Sequence, residues 1–226
     1  MSKKWHSDGG VEYLQHYKAT CEGAEKEFHD FYGVLCSDTF SSAIDAVFAR
    51  NERSNLRLLE IGCSGGNKLC VFHKLGFKPD NLYGGDICAK AVKVAQDALP
   101  NSHIQHVSHL SPYEYDLKTN IDVVFCCATL PHILPAERHL FYKKIIDLKP
   151  KYLMLCEPQA DRLQKVESWG WTFHWDNYVN VSLTELNLPP SAVLYRKDFE
   201  YDKKMREHFA PNVKESVVVI DVRNKA

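Results

Sequence analysis

The sequence RLLEIGCSGGN, residues 57–67, changes from apolar to glycine-rich at its midpoint. Residues 57–61 form a short apolar run, which predicts a strand that ends at Gly62. Residues 67–75 then place apolar side chains at helical spacing, and Gly76 follows as a helix terminator. The stretch therefore predicts a strand, a tight turn and a helix, the unit from which parallel sheets are built.

Further strand and helix patterns alternate with this unit as far as residue 157. The run at residues 121–128 is nearly all apolar, which is typical of a central parallel strand covered on both faces. No repeat or proline-rich linker interrupts the alternation, so we expect a single α/β unit. The other predicted strands are residues 82–86, 103–110 and 152–156, and the predicted helices are residues 87–98 and the segment from Pro135 to Leu148.

The two ends of the chain depart from this alternation. Residues 11–20 and 39–50 predict two helices, which we expect to form a cap over one end of the sheet. Residues 161–168 predict a helix followed by aromatic loops, whereas the apolar run at residues 217–222 predicts a terminal strand. Residues 193–195 are consistent with a strand that precedes it.

Composition and charge exclude several classes of protein. The chain has 226 residues with 28 Lys and Arg against 29 Asp and Glu, and this net charge of −1 argues against a charge-driven nucleic-acid binder. No apolar run approaches the roughly 18 residues needed to span a bilayer. The first residues also lack an apolar leader, so we expect a cytoplasmic protein. Eight cysteines without a CxxC pair predict reduced core thiols, and the scattered histidines predict no metal site.

We expect the chemistry in the loops after the strands, because ligands of an open parallel sheet bind outside the carboxyl ends of its strands. The glycines of residues 62–66 allow backbone N–H groups to come close to a ligand. A dinucleotide-binding loop has the pattern G-x-G-x-x-G, but counted from Gly62 its later glycines are replaced by Ser64 and Asn67. The pattern weighs against NAD or FAD, and a plain turn between strand and helix is the alternative.

At these residues the sequence resembles the class I methyltransferases, which use S-adenosylmethionine. The first motif of that family is an acidic residue followed by x-G-x-G-x-G; Glu60, Gly62 and Gly66 match it, and Ser64 replaces the central glycine. Its second marker is an acidic residue after the second strand, where Asp86 lies 24 residues beyond Gly62. A carboxylate there can accept a bond from each ribose hydroxyl, although a cap of the following helix is the alternative role.

The resemblance implies a Rossmann-like α/β fold, with about seven mostly parallel strands, helices on both faces and an N-terminal helical cap. It covers roughly residues 56–158 and implies one domain: a cap at 1–55, a donor-binding core at 56–158, and an acceptor-side insertion with terminal strands at 159–226. The turn after the third strand offers Ser108 and His109 but no Asp, so adenine recognition is expected to depend on backbone groups and on packing of Ile87 against the ring. The residues implied for S-adenosylmethionine are Tyr17, Glu60, Gly62, Cys63, Ser64, Gly66, Asp86, Ile87, Ser108, His109, Cys127 and Ala128.

The sequence CATLPHI, residues 127–133, resembles the loop that faces the methyl acceptor in many small-molecule methyltransferases. It lacks the N/D-P-P-Y/F/W signature of enzymes that methylate exocyclic nitrogens of bases. His132 is the candidate general base, and Glu157 is the candidate to orient it or to bind substrate. The alternative for His132 is a plain bond to a nearby carbonyl. Tyr13 and Trp171, from the aromatic groups that flank the core, are candidates for acceptor binding.

Together these features predict an enzyme that transfers a methyl group from S-adenosylmethionine to an oxygen or nitrogen of a small molecule. Three alternatives stay open: a donor-binding subunit or scaffold without catalysis, a methyltransferase acting on tRNA or protein, and an NAD(P)-dependent oxidoreductase. The near-neutral charge argues against a nucleic-acid acceptor, and the missing glycines argue against the oxidoreductase.

Overall fold

The computed structural model describes residues 38–108, 115, 117, 119–168, 171–199 and 214–223. Within this part of the chain, the strands form a seven-stranded sheet and a two-stranded hairpin. The strands are β1 (Leu58–Ile61), β2 (Leu82–Asp86), β3 (His103–His106), β4 (Val123–Cys127), β5 (Tyr152–Gln159), β6 (Gln164–Ser168), β7 (Trp171–Trp175), β8 (Val193–Phe199) and β9 (Lys214–Asp221). The helices are α1 (38–47), α2 (Asn67–Lys74), α3 (Ala89–Ala98), α4 (Arg138–Leu148) and α5 (Tyr178–Glu185).

The large sheet has the strand order β3-β2-β1-β4-β5-β9-β8. The first five strands of the chain pair in parallel, and β9 is antiparallel to both β5 and β8. Strand β8 therefore runs in the same direction as β1 to β5, and the prediction of a mostly parallel sheet is confirmed. Because the strand order reverses between β1 and β4, a crevice is expected at the carboxyl ends of these two strands.

Helices cover both faces of the large sheet, as predicted. Helices α1, α2 and α3 cover one face through buried residues such as Phe40, Phe72 and Ala95. Helices α4 and α5 cover the other face through Tyr142, Tyr178 and their neighbours. Since both faces of β4 are buried, all of its residues are apolar, which explains the continuous apolar run in the sequence.

Helix α1 belongs to the N-terminal segment that the sequence predicts as a cap. Phe40 of α1 packs edge-on against Phe72 and Phe125, with ring centroids 5.1 and 5.6 Å apart. Phe125 lies in β4, so this part of the segment covers a face of the sheet at its centre, and the predicted position over one end of the sheet is wrong for it. The first predicted helix, residues 11–20, lies outside the described residues.

The helix predicted at residues 161–168 is wrong. Five of these residues form β6, which pairs with β7 in the antiparallel hairpin. Val166 lies opposite Phe173, and along β7 the aromatic residues alternate with Thr172 and His174. A two-residue period rich in aromatic and β-branched side chains favours a strand over a helix.

Two further elements differ from the sequence-based expectation. Strand β5 continues to Gln159, whereas the sequence predicted its end at Cys156. Beyond Cys156 it pairs with β9 and, at Gln159, forms a single bridge to Asp176; at Pro158 only the β9 side is paired, which is a position that tolerates proline. Helix α5 was not predicted; the side-chain oxygen of Asn177 caps it by accepting the N–H of Asn180 at 3.2 Å.

Two expectations drawn from composition concern the state of the cysteines and the length of apolar segments. All six cysteines of the described residues are buried and none of these six forms a disulfide, as predicted for core thiols, and Cys21 and Cys36 lie outside that range. Among the described helices, none has the length and apolar character that crossing a bilayer requires.

Candidate active site

The loop between β1 and α2 is left-handed at three of its positions. The φ angles are +77° at Gly62, +46° at Ser64 and +79° at Gly66. A Cβ atom on Gly62 would lie 2.7 Å from Oγ1 of Thr129, and one on Gly66 would lie 2.9 Å from Cβ of Ala95. The first glycine is therefore needed for contact with the loop after β4, and the second for packing of the loop against α3.

Ser64 is the position at which the sequence departs from the family's glycine. Its left-handed backbone costs a non-glycine residue about 1–2 kcal/mol. The N–H of Ser64 donates to Oδ2 of Asp86 at 2.9 Å, which holds the backbone in this conformation. The loop thus keeps the shape that a glycine would adopt freely, and it is joined to the end of β2.

Asp86 lies at the carboxyl end of β2, next to this loop. Its Oδ1 accepts the N–H of Cys88 at 2.9 Å; Cys88 is the residue before α3, and no side chain caps the first turn of that helix, so the capping role expected as the alternative is not observed. Burial raises the pKa of Asp86, and the N–H groups of Cys88 and Ser64 oppose that shift. The backbone of Ile87 also interacts with the carboxyl group, and these bonds leave part of the roughly four acceptor positions of a carboxylate open. Asp86 therefore retains the capacity to accept a hydrogen bond from a ligand hydroxyl group.

Glu60 is a fully buried carboxyl group near the end of β1. Neither of its oxygens has a hydrogen-bond partner within the described part of the chain. Burial raises its pKa to about 8, while the charge of Lys68 lowers it and that of Asp86 raises it further. A buried carboxyl group without a hydrogen-bond partner costs free energy unless a ligand provides one. Glu60 therefore marks a place for a hydrogen-bond donor or a cation of a ligand.

The loop after β4 is held by Glu157, which lies near the end of β5. Oε1 of Glu157 accepts the N–H of Thr129 at 3.0 Å and that of Leu130 at 3.3 Å. Burial raises the pKa of Glu157 well above its usual range, against the effect of these two bonds. The hydrogen bonds that the structure gives to Glu157 go to the loop backbone and not to His132, the partner that the sequence suggested.

His132 ends a short helical turn, residues Leu130–His132, on the same loop. It is half-buried, and its ring centroid lies 5.0 Å from that of Phe173 in the hairpin. Burial lowers the pKa of His132 to about 4. The imidazole is therefore neutral at pH 7 and is a weaker base than an ordinary histidine.

An ion pair fixes the hairpin beside this loop. Arg138, at the start of α4, binds Oδ2 of Asp176 at 2.6 Å and also donates to the carbonyl of His174 at 3.0 Å. The side chains of Arg138 and Asp176 are 7% and 17% exposed, so the pair is shielded from solvent. The end of strand β7 is thereby held to α4, on the same strand whose Phe173 contacts His132.

The remaining candidates are distributed as follows. Ile87 and the thiol of Cys63 are buried at the loop, and burial raises the pKa of Cys63, which keeps it protonated. Cys127 ends β4, and Ala128 follows it with a left-handed φ of +51°. Ser108 is exposed just after β3, and Trp171 begins β7. Tyr13, Tyr17 and His109 lie outside the described residues.

Sequence reasoning missed three residues of this region. Thr129 contacts Gly62, and Lys68 is a buried cation whose charge acts on Glu60. Tyr115 places its ring against the backbone of Gly85 and donates its hydroxyl to that residue's carbonyl at 3.2 Å. The only available sequence signal was Gly85 within β2, since a glycine in a strand often marks close approach of another group.

Comparison with known proteins is consistent with this geometry. Residues 59–151 match the family described as "Methyltransferase domain". Among solved structures, the chain resembles magnesium protoporphyrin IX methyltransferase from Synechocystis PCC 6803 with bound SAH, at 14% identity and a TM-score of 0.61, covering 96% of each chain. It also resembles 1,6-didemethyltoxoflavin-N1-methyltransferase from Burkholderia thailandensis, at 15% identity and a TM-score of 0.53, covering 85% of this chain and 89% of that one.

No curated protein matches the sequence significantly. At identities near 15%, the likeness to the solved structures shows a shared fold. The matched segment runs from β1 to the start of β5 and contains the loop of Gly62, the end of β2 at Asp86 and the loop of Thr129. Residues 59–151 therefore match a methyltransferase domain, and the chain shares the fold of the class I, S-adenosylmethionine-dependent methyltransferases.

Proposed function

We propose that the protein is a methyltransferase that uses S-adenosylmethionine to methylate an oxygen or nitrogen of a small molecule. The observation that carries the proposal is the buried carboxyl group of Glu60, which has no hydrogen-bond partner among the described residues. It lies beside the left-handed loop at Gly62, one strand away from the part-satisfied carboxylate of Asp86. Two carboxyl groups near the ends of neighbouring strands suit a ligand that has an ammonium group at one end and ribose hydroxyls at the other.

Each end of the donor is assigned to residues of this chain. Asp86 receives the ribose hydroxyls, Glu60 receives the ammonium group of the amino-acid part, and Ile87 packs against the adenine. The loop backbone at Cys63, Ser64 and Gly66 and the strand end at Cys127 and Ala128 surround the part between them. Ser108, His109 and Tyr17 complete the proposed set.

The donor supplies a methyl group on a sulfonium that already carries a good leaving group, so alignment is the main task of the protein. His132 contributes a neutral imidazole of low basicity, because burial lowers its pKa to about 4. It is suited to accept a hydrogen bond from the acceptor and to hold its orientation. A nitrogen acceptor, or an oxygen that is already ionised, needs no stronger base than this.

Several observations favour a small acceptor over a macromolecule. The net charge of −1 argues against a charge-driven contact with tRNA. Two neighbours in fold are named for protoporphyrin and didemethyltoxoflavin, which are both small molecules. The hairpin brings Phe173 beside His132, and Trp171 is proposed, with Tyr13, to complete an aromatic pocket. The cytoplasmic location remains a prediction from the sequence.

Calorimetric titration with S-adenosylmethionine, S-adenosylhomocysteine and NAD tests the proposal. We expect the first two to bind and to raise the melting temperature, because a ligand that binds only the folded state stabilises it. Binding of NAD alone would instead favour the oxidoreductase. Single-turnover transfer of a labelled methyl group into a mixture of metabolites then separates an enzyme from a donor-binding scaffold, which binds without transfer.

Because the pKa of Glu60 is raised, we expect its carboxyl group to release a proton when S-adenosylmethionine binds. At pH 7 the carboxyl group is mostly protonated, because its pKa is about 8, and pairing with an ammonium group favours the ionised form. Donor affinity should therefore rise with pH up to about 8, above which the free carboxyl group is already ionised. Calorimetry in buffers of different ionisation enthalpy measures the proton directly, and a heat that is the same in all buffers would contradict the assignment.

Glu60→Gln provides the control, because the amide stays neutral at every pH. The variant should bind S-adenosylmethionine more weakly and without proton release. In the ligand-free protein, the stability of the wild type should fall as pH rises from about 4.5 to about 8, since the unfolded chain holds fewer protons in that window. Glu60→Gln should lack this part of the pH dependence, as measured by urea unfolding.

A further inference from the structure

Thr129 joins the ends of three neighbouring strands. It follows β4, its hydroxyl donates to the carbonyl of Ile61 in β1 at 2.9 Å, and its N–H donates to Glu157 in β5 at 3.0 Å. Its side chain is buried, with 3% of the residue exposed. A single residue thus holds the loop after β4 to both adjacent strands at the edge where the crevice lies.

The backbone around Thr129 is strained and is fixed by Glu157. Ala128 has a left-handed φ of +51°, a conformation that is unfavourable for a non-glycine residue. Such residues persist where the surroundings hold them, and they are concentrated at functional sites. Here the N–H groups of Thr129 and Leu130 both bond to one oxygen of Glu157, which is fully buried.

Thr129 also contacts both sides of the crevice. Towards the donor side, Thr129 packs against Gly62. A Cβ atom added to that glycine would lie only 2.7 Å from Oγ1 of Thr129. Towards the acceptor side, its carbonyl accepts the N–H of His132 at 3.1 Å, which closes the turn that carries the imidazole. A displacement of Thr129 would therefore move the glycine loop and His132 together.

We propose that Thr129 and Glu157 are positioning residues that set the donor loop and the His132 turn at a fixed distance from each other. The inference rests on the proposed function. Neither residue contacts the reacting atoms; Glu157 acts through Thr129, and Thr129 acts through Gly62 and His132. Because methyl transfer depends on alignment of donor and acceptor, a loop bonded to both sides has a direct effect on the reaction.

The two hydrogen bonds from Thr129 and Leu130 determine which chemical group residue 157 must provide. Two backbone N–H groups need one oxygen acceptor, and the charge of the carboxylate is not required for that. Glutamine presents an oxygen with the same reach, whereas leucine fills a similar volume and leaves both N–H groups unsatisfied. An effect of Glu157→Leu that Glu157→Gln largely reverses would thus identify the acceptor as the property that matters.

The test measures two quantities on the same variants: the Kd for S-adenosylhomocysteine by calorimetry and the pKa of His132 by NMR titration. For Glu157→Leu and Thr129→Val we expect the Kd to rise about tenfold, the equivalent of one hydrogen bond of ordinary strength. The pKa of His132 should rise towards the usual histidine value as the turn loosens. Glu157→Gln and Thr129→Ser should restore most of both properties.

Tyr142→Phe is the matched control, because it removes a buried hydrogen bond of 2.8 Å to Ser182 elsewhere in the fold. It should lower the melting temperature without changing either readout. If Glu157→Leu and Thr129→Val behave in the same way, the two residues are merely structural and the inference is overturned. If the wild type itself fails to bind S-adenosylhomocysteine, the proposed function fails, and the inference falls with it.

Discussion

Gly62→Ala is expected to weaken S-adenosylhomocysteine binding by about 100-fold or more, because it disturbs both the donor loop and the loop opposite. The new Cβ would lie 2.7 Å from Oγ1 and 3.2 Å from Cγ2 of Thr129, so one of the two loops must move. The left-handed φ of +77° adds backbone strain of about 1–2 kcal/mol. Calorimetry measures the affinity, and urea unfolding should show a loss of about 2–4 kcal/mol in stability.

Gly76→Ala separates backbone strain from contact with the site. Gly76 also has a positive φ, of +102°, but the nearest atom to its added Cβ is Cδ of Arg53 at 3.9 Å, an ordinary contact. This variant should lose stability through strain alone and keep the affinity of the wild type. If Gly62→Ala binds S-adenosylhomocysteine as the wild type does, the loop after β1 is not part of the donor site.

A double variant checks that Thr129 is the source of the clash. In Gly62→Ala with Thr129→Ala, the nearest remaining Thr129 atom is its Cβ, at 3.5 Å, which is an ordinary separation. The stability lost through the clash should return in part, giving a coupling energy of about 1 kcal/mol or more between the two positions. Strictly additive losses would show that Gly62 is sensitive only because of its own backbone angle.

The core of the fold was predictable because its elements carry their signal locally. The apolar run at residues 121–128 is β4 in the centre of the sheet, where burial on both faces imposes that composition. The hairpin of β6 and β7 was not predictable in the same way. Its residues 164–168 contain one apolar side chain, Val166, so their structure depends on pairing with Phe173 and its neighbours. Pairing with another strand produces little recognisable pattern in the sequence of a single strand.

The site was predictable to the extent that strand ends define it. Gly62 and Asp86 follow adjacent parallel strands, and the carboxyl ends of such strands necessarily meet at one edge of the sheet. The partner of Glu157 could not be predicted, because a position at a strand end does not say which backbone group a side chain will reach. The role of Thr129 likewise arises from the close approach of two loops that are distant in the sequence.

Asp86→Ala is expected to abolish measurable donor binding and also to destabilise the ligand-free protein. The stability loss arises because the N–H groups of Ser64 and Cys88 each lose an acceptor at 2.9 Å. Two such bonds to a carboxylate contribute about 3–6 kcal/mol together at most. The loss of binding has a second cause, since two ribose hydroxyls would lose their acceptor as well. Thermal unfolding without ligand measures the first effect, and calorimetry measures the second.

Asp86→Asn divides these two roles, because the amide keeps one oxygen acceptor while its NH₂ group can only donate. The variant should fold, yet its Kd for S-adenosylhomocysteine should rise about 100-fold, since hydrogen bonds to a charged acceptor are roughly twice as strong as neutral ones. Asp97→Asn is the matched control; this exposed acid of α3 pairs with Lys93 at 2.5 Å and should leave the Kd unchanged. If Asp86→Asn also leaves the Kd unchanged, Asp86 serves only to hold the backbone at Ser64 and Cys88, and the ribose must be bound elsewhere.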